Sequence, residues 1–167
     1  MITLVLGGAR SGKSAVAERL VAGLPAPVTY IATATANDHD FAARIERHRV
    51  RRPSEWKTFE AGAELVPTVR RTKGTVLVDA LGPWVAAHDS FAVETDSLID
   101  VLSRRQGDTV IVSEEVGLGV HPSTEVGRAF RDVLGDVNRA VAEVADEVLL
   151  VVAGRVLPLD PMPEVGP

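Results

Sequence analysis

The sequence contains no cysteine. Disulfide scaffolds, thiolate metal sites and a cysteine nucleophile are therefore excluded. Aromatic residues make up only 4% of the chain, so the core must be built from Val, Leu, Ile and Ala, a mix that suits a parallel sheet covered by helices. No apolar run reaches membrane-spanning length, and Met1 leads straight into a short apolar stretch without a basic leader or cleavage site. Positive charge is not in excess either: the net charge is −5, which disfavours a protein that coats nucleic acid. The expectation is a soluble, cytoplasmic protein. Hydrophobic residues, by contrast, are plentiful at 46% of 167 residues, and the length fits one domain with a sizeable core. No repeat or linker divides it, so a single domain is expected over residues 1–157. A loose tail rich in proline is expected over 158–167.

Apolar runs typical of strands occur at Ile2–Leu6, Val28–Ala32, Thr75–Val78, Thr109–Ser113 and Val148–Val152. The stretches between them are long enough for helices, with helical patterns at Ser14–Ala22, Asp38–Val50, Ala61–Arg71, Glu94–Arg105 and Ser123–Val144. Gly127 and Gly135 interrupt the last of these. The alternation predicts an α/β fold with a mostly parallel sheet and helices on both faces.

Between the first strand and the first helix lies Gly7-Gly8-Ala9-Arg10-Ser11-Gly12-Lys13-Ser14, which matches G-x-x-x-x-G-K-[ST]. Glycines let successive backbone N–H groups turn around an anion, and the following helix adds its positive N-terminal end. Lys13 supplies a point charge for the β- and γ-phosphates, and the Ser14 hydroxyl can ligate Mg²⁺. The fold expectation is accordingly P-loop NTPase-like. Such a site also uses an acidic residue at a strand end. Val76-Leu77-Val78-Asp79 places one there, where Asp79 either caps the turn that follows or serves the metal and nucleotide. Ile111-Val112-Ser113-Glu114-Glu115 repeats the pattern, and because adjacent residues of a strand face opposite ways, one of its two carboxylates faces the site. The expected metal set is Ser14, Asp79 and Glu115.

A second concentration of charge lies in Arg44–Arg52, where five of nine residues are arginine and His48 stands among them. Two readings are open. One is a solvated helix face with cations toward its C-terminal end. The other is a polyphosphate-binding patch that holds His48 as a neutral nucleophile. Arg44 and His48, four residues apart, would share a helix face.

With these motifs the chain resembles the bifunctional adenosylcobinamide kinase/adenosylcobinamide-phosphate guanylyltransferases of cobalamin biosynthesis. The likeness begins with the phosphate loop, continues through Tyr30-Ile31-Ala32-Thr33-Ala34 and Arg44-Ile45-x-x-His48, and takes in Arg52-Pro53-x-x-Trp56-x-Thr58-x-Glu60. It runs on through Glu115-Val116-Gly117-x-Gly119 and Arg128-x-Phe130-Arg131-Asp132-x-x-Gly135-x-x-Asn138 to Ala145-Asp146. Three features depart from the family's usual pattern. No asparagine follows Trp84 at the expected place, the segment from His88 to Gly107 is short, and Glu114 stands where an asparagine is common.

The resemblance implies two reactions. Adenosylcobinamide is phosphorylated with ATP or GTP. GMP then passes from GTP to the new phosphate through a guanylyl-histidine intermediate, giving adenosylcobinamide-GDP and pyrophosphate. By motif position His48 is the nucleophile and Lys13 the second catalytic residue. The nucleotide-binding residues are Gly7, Gly8, Ala9, Arg10, Ser11, Gly12, Lys13 and Ser14, together with Thr33, Ala34, Thr35, Arg49, Val50, Arg51, Arg52, Glu60 and Asp79. The resemblance further implies Mg²⁺, a corrinoid substrate and a homotrimer. The alternatives are a P-loop small-molecule kinase with a structural His48, and a nucleotide-binding switch without turnover.

Overall fold

The computed structural model describes residues 1–34 and 53–162. Among these residues seven strands form one sheet: β1 Ile2–Gly7, β2 Val28–Ala32, β3 Lys57–Glu60, β4 Thr75–Asp79, β5 Thr109–Glu114, β6 Glu147–Val152 and β7 Arg155–Pro158. Their order is β3-β2-β4-β5-β1-β6-β7. All neighbouring pairs are parallel except β6 with β7. The helices are α1 Lys13–Ala22, α2 Leu65–Arg71, α3 Leu81–Ala86, α4 Thr95–Arg104 and α5 Glu125–Val144, with a 3-10 turn at Asp89–Phe91. This is the expected α/β P-loop architecture. The helix expected over Asp38–Val50 lies outside the described residues. No helix among the described residues is long and apolar enough to cross a membrane.

Side-chain alternation along the strands divides the core into two layers. Leu4, Leu6, Ile31, Val76, Val78 and Ile111 pack under α2, α3, α4 and α5 with Leu65, Trp84, Leu98 and Leu134. Val5, Tyr30, Leu77, Val110, Val112 and Leu149 pack on the other face under Val16, Ala17 and Val21 of α1. The consequence for the site is simple. Asp79 lies two residues beyond Leu77, and Glu114 two beyond Val112, so both carboxylates emerge on the α1 face.

Three elements differ from the sequence expectation. Residues Lys57–Glu60 form the edge strand β3 with every side chain exposed, so no buried alternation marks it. The chain also forms β7, whose last residue is Pro158, the first of the expected tail. β6 and β7 join through a two-residue turn in which Ala153 and Gly154 both have positive φ, +49° and +73°, as a type I′ hairpin requires. Finally, α3 forms although it contains Gly82 and Pro83. Pro83 is its third residue, within the first turn, where the missing N–H has no helical partner to lose. α5 runs unbroken through Gly127 and Gly135, held by the buried stripe Leu134, Val137, Asn138 and Val141.

At the amino ends of the strands a half-buried guanidinium ties together the turns that lead into β4 and β5. Arg105 donates to Gly74 O at 2.7 Å, to Gly107 O and Asp108 O at 3.0 Å each, and to Thr72 O at 3.4 Å. Burial draws Arg105 below its ordinary pKa while the Asp108 carboxylate draws it up. Asp108 also meets the N-terminal ammonium at 3.2 Å.

Candidate nucleotide site

The site is built where β1 stops. Gly7 is buried and has no room for a side chain: a Cβ there would stand 2.5 Å from Ser11 Oγ and 2.7 Å from Val151 O. The loop then turns with Ser11 N–H donating to Gly8 O at 3.2 Å. Arg10 and Gly12 adopt positive φ, +57° and +94°. Gly12 is the N-cap of α1, with no side chain capping the helix, which leaves the helix N-terminus open to an anion. Behind the loop stands the β6–β7 turn, whose Gly154 N–H donates to Ser11 O at 2.8 Å. Gly8, Ala9 and Arg10 are exposed, whereas Ser11, Lys13 and Ser14 are buried.

Lys13 is a buried cation with a side chain 5% exposed, and burial of that kind demands compensating charge. Its Nζ lies 3.4 Å from Gly8 O and 3.5 Å from Glu114 Oε1. One residue further along α1, Ser14 Oγ donates to Asp79 Oδ1 at 3.2 Å, while the Tyr30 hydroxyl donates to Asp79 Oδ2 at 2.8 Å. A serine hydroxyl beside a carboxylate at the mouth of a phosphate loop is a set of hard oxygen donors. Mg²⁺ takes one or two such groups and completes its shell with phosphate oxygens and water, so the residues fit that ion.

The other expected site residues fall at the same end of the sheet. Thr33 is buried directly beyond β2. Its Oγ1 accepts Ala80 N–H at 3.0 Å and donates to Ala80 O, which fixes the chain where it leaves Asp79. Ala34 follows, half-buried. Glu60 ends β3 in register with Ala32, which in turn pairs with Asp79, but it is exposed at the sheet edge. Thr35, His48, Arg49, Val50, Arg51 and Arg52 lie outside the described residues, as does the rest of the arginine cluster.

Of the adjacent carboxylates, Glu114 is the one that reaches Lys13. Glu115, expected in the metal set, instead turns to its own loop and accepts Gly117 N–H at 2.8 Å. Two further contributors were given no role by the sequence, although Tyr30 opens the Tyr30–Ala34 stretch that carries part of the resemblance. Tyr30 becomes visible only once β2 pairs with β4, which sets it beside Leu77 and within reach of Asp79. Gly82 donates its N–H to Glu114 Oε2 at 3.1 Å, and a Cβ at that residue would collide with the same oxygen. A positional signal did mark Glu114, since it ends its apolar run as Asp79 ends its own.

Known proteins carry the same pattern over almost the whole chain. The family model for cobinamide kinase / cobinamide phosphate guanyltransferase matches residues 3–159. The bifunctional adenosylcobalamin biosynthesis protein CobP of Pseudomonas aeruginosa is 40% identical over 95% of this chain and 97% of its own length. The bifunctional adenosylcobalamin biosynthesis protein CobU of Escherichia coli is 38% identical over 92% of this chain and 97% of its own. Among solved structures, a prototypical ATPase from the type III secretion system of pathogenic bacteria superposes with a TM-score of 0.57 at 9% identity. The superposition covers 89% of this chain and half of that ATPase chain, a likeness of fold alone. The chain belongs to the cobinamide kinase / cobinamide phosphate guanyltransferase family.

Proposed function

We propose that this chain phosphorylates adenosylcobinamide with ATP or GTP and then transfers GMP from GTP to the resulting phosphate. The observation that carries this reading is the convergence of Lys13, Ser14, Asp79 and Glu114 at the open N-terminus of α1, in a chain of this family. The backbone N–H groups of Gly8–Gly12 would hold the triphosphate, and Lys13 would balance charge on its β- and γ-phosphates. Ser14 and Asp79 would hold Mg²⁺, which when bound supplies charge neutralisation along the phosphate chain.

For the second reaction the nucleophile is His48. Its neutral imidazole nitrogen bonds to the α-phosphorus of GTP while the bond to the bridging oxygen breaks and pyrophosphate leaves. A phosphate oxygen of adenosylcobinamide phosphate then attacks the same phosphorus, the P–N bond breaks, and the imidazole is regenerated. Arginines at 49, 51 and 52 would stabilise the added charge. The homotrimer belongs to the same reading; light scattering on the eluted protein would measure its mass.

GTP labelled in the α-phosphate tests the central step. The wild-type protein should acquire an acid-labile, alkali-stable adduct of one GMP that maps to the Arg44–Arg52 peptide, and His48→Ala should acquire none. Full labelling of His48→Ala sinks the histidine mechanism. Transfer of the γ-phosphate with no α-adduct in the wild type would favour a kinase acting alone, and tight binding without turnover a switch.

A further inference from the structure

Resting on the kinase half of that reading, we propose that the turn between β6 and β7 is the nucleoside subsite of the phosphoryl donor, and that it holds the nucleoside without selecting adenine over guanine.

The direction of the phosphate chain carries the argument. Lys13 and Ser14 are the groups that meet the terminal phosphates and their metal in such a loop. Lys13 Nζ lies 3.5 Å from Glu114 Oε1, and Ser14 Oγ donates to Asp79 Oδ1 at 3.2 Å. Those two carboxylates end β5 and β4, and both strands lie on the same side of β1 in the order β4-β5-β1-β6-β7. A γ-phosphate beside them leaves the α-phosphate and nucleoside to run the other way, across the end of β1 toward β6. The β6–β7 turn stands there, in contact with the loop. Its Gly154 N–H donates to Ser11 O at 2.8 Å, and a Cβ on Gly12 would lie 3.4 Å from Gly154 Cα. A nucleoside against Thr33 and Glu60, at the ends of β2 and β3, would reverse the chain. That pose brings the α-phosphorus nearest Asp79 and serves GMP transfer.

The turn is shaped for a ring system. Ala153 and Gly154 are both exposed, and a Cβ on Gly154 would meet no atom within 4 Å. Val156 is 46% exposed, although its partner across the ladder, Val151, is buried under α1. Partners in an antiparallel pair point to the same face. Val156 is therefore an apolar wall on the α1 side, at the level of Gly7, with which Val151 is in register. Arg155 pairs with Val152 and faces the other way. An apolar surface packs against sugar and base while reading no hydrogen-bonding edge. Ala153, Gly154 and Val156 bring no side-chain donor or acceptor, so adenine and guanine are held alike.

Photolabelling of the full-length protein with 8-azido-ATP and Mg²⁺ tests the placement, because ATP serves phosphoryl transfer alone in this reading. The label should map to residues 152–156 and be competed away equally by ATP and GTP. Ala153 already has a φ of +49°, so the longer, unbranched side chain of Ala153→Gln adds bulk without a new backbone conformation. This variant should raise KM for ATP and for GTP about tenfold, the scale of a misfitted contact in an apolar site. Its kcat should stay within about twofold of wild type, since the groups at the terminal phosphates are untouched. Inorganic tripolyphosphate, which has no nucleoside, should inhibit both proteins equally, and GMP adduct formation from GTP should persist. Val156→Asn, on the strand instead of in the turn, should raise KM in the same sense. A label confined to residues 33–60 overturns the proposal, as do wild-type KM values in both variants. Weakened tripolyphosphate inhibition together with lost adduct formation also overturns it, since the turn would then only brace the loop. A wild-type protein that takes the label at the turn but transfers no phosphoryl group would instead overturn the kinase reading and leave the subsite standing.

Discussion

At the carboxyl ends of the strands Lys13 rests between Gly8 O and Glu114, at 3.4 and 3.5 Å. At the amino ends Arg105 donates to Gly74 O at 2.7 Å and to Gly107 O and Asp108 O at 3.0 Å. Both are cations drawn into the sheet beside glycine turns. The difference lies in chemistry and in wiring. The Arg105 guanidinium is a planar fork whose two terminal nitrogens meet fixed carbonyls, although its buried Nε has no partner among the described residues. An ammonium is instead a mobile point charge whose long contacts can be exchanged. One end of the sheet is closed upon itself. The other keeps its partners replaceable, at the end where parallel sheets bind ligands.

The largest effect expected on this contrast is at Lys13. Lys13→Met should lower kcat of both nucleotide reactions by about 10²–10³-fold, the scale for one lost donor to a developing charge. Its melting temperature should stay within about 3 °C of wild type, since the ammonium is held only by long, exchangeable interactions. A fall as large as that at the opposite end would show that Lys13 is a staple as well, and the contrast would fail.

Arg105→Met is the mirror experiment. Removing the guanidinium strands several carbonyl oxygens in the turns before β4 and β5 and should cost about 3 kcal/mol, given the worth of charge-assisted hydrogen bonds. For a chain of this size that is a fall of roughly 6–12 °C in Tm. Activity per folded molecule should be unchanged at a temperature well below the melt. Differential scanning calorimetry alongside the kinase assay reads both quantities, and a specific loss of activity would mean that the amino ends communicate with the site.

The same contrast explains what could be read from the sequence. The phosphate loop, the five inner strands and Asp79 were legible because their signals are local: an apolar run, glycines at fixed offsets, a carboxylate where the run stops. β3 was not, since Lys57, Thr58, Phe59 and Glu60 are all exposed and, among the described residues, pair on one side only. α3 was hidden by Gly82 and Pro83, residues that ordinarily break helices but are tolerated in a first turn. Glu114 and Glu115 could be narrowed to one site-facing carboxylate, but choosing between them required knowing which face of β5 lies under α1. Tyr30 and Arg105 depend on pairings between distant strands and turns, which no local pattern encodes.

The smallest expected effect probes the boundary between the two classes. Tyr30 is buried within the layer under α1, yet its hydroxyl holds Asp79 Oδ2 at 2.8 Å while Ser14 occupies Oδ1. If Ser14 and Asp79 hold Mg²⁺ as proposed, the Tyr30 hydroxyl would remain a donor that helps to orient the carboxylate. Outer-shell donors of this kind are worth about tenfold or more in metal affinity. Tyr30→Phe should therefore weaken apparent Mg²⁺ affinity about tenfold in a titration at fixed nucleotide. The lost hydrogen bond to the carboxylate should cost about 1.5 kcal/mol, or roughly 3–6 °C in Tm. An unchanged Mg²⁺ titration with a fall in Tm like that of Arg105→Met would place Tyr30 among the staples. The converse result would extend the exchangeable region one layer into the core, to a tyrosine whose ring packs while its hydroxyl serves the site.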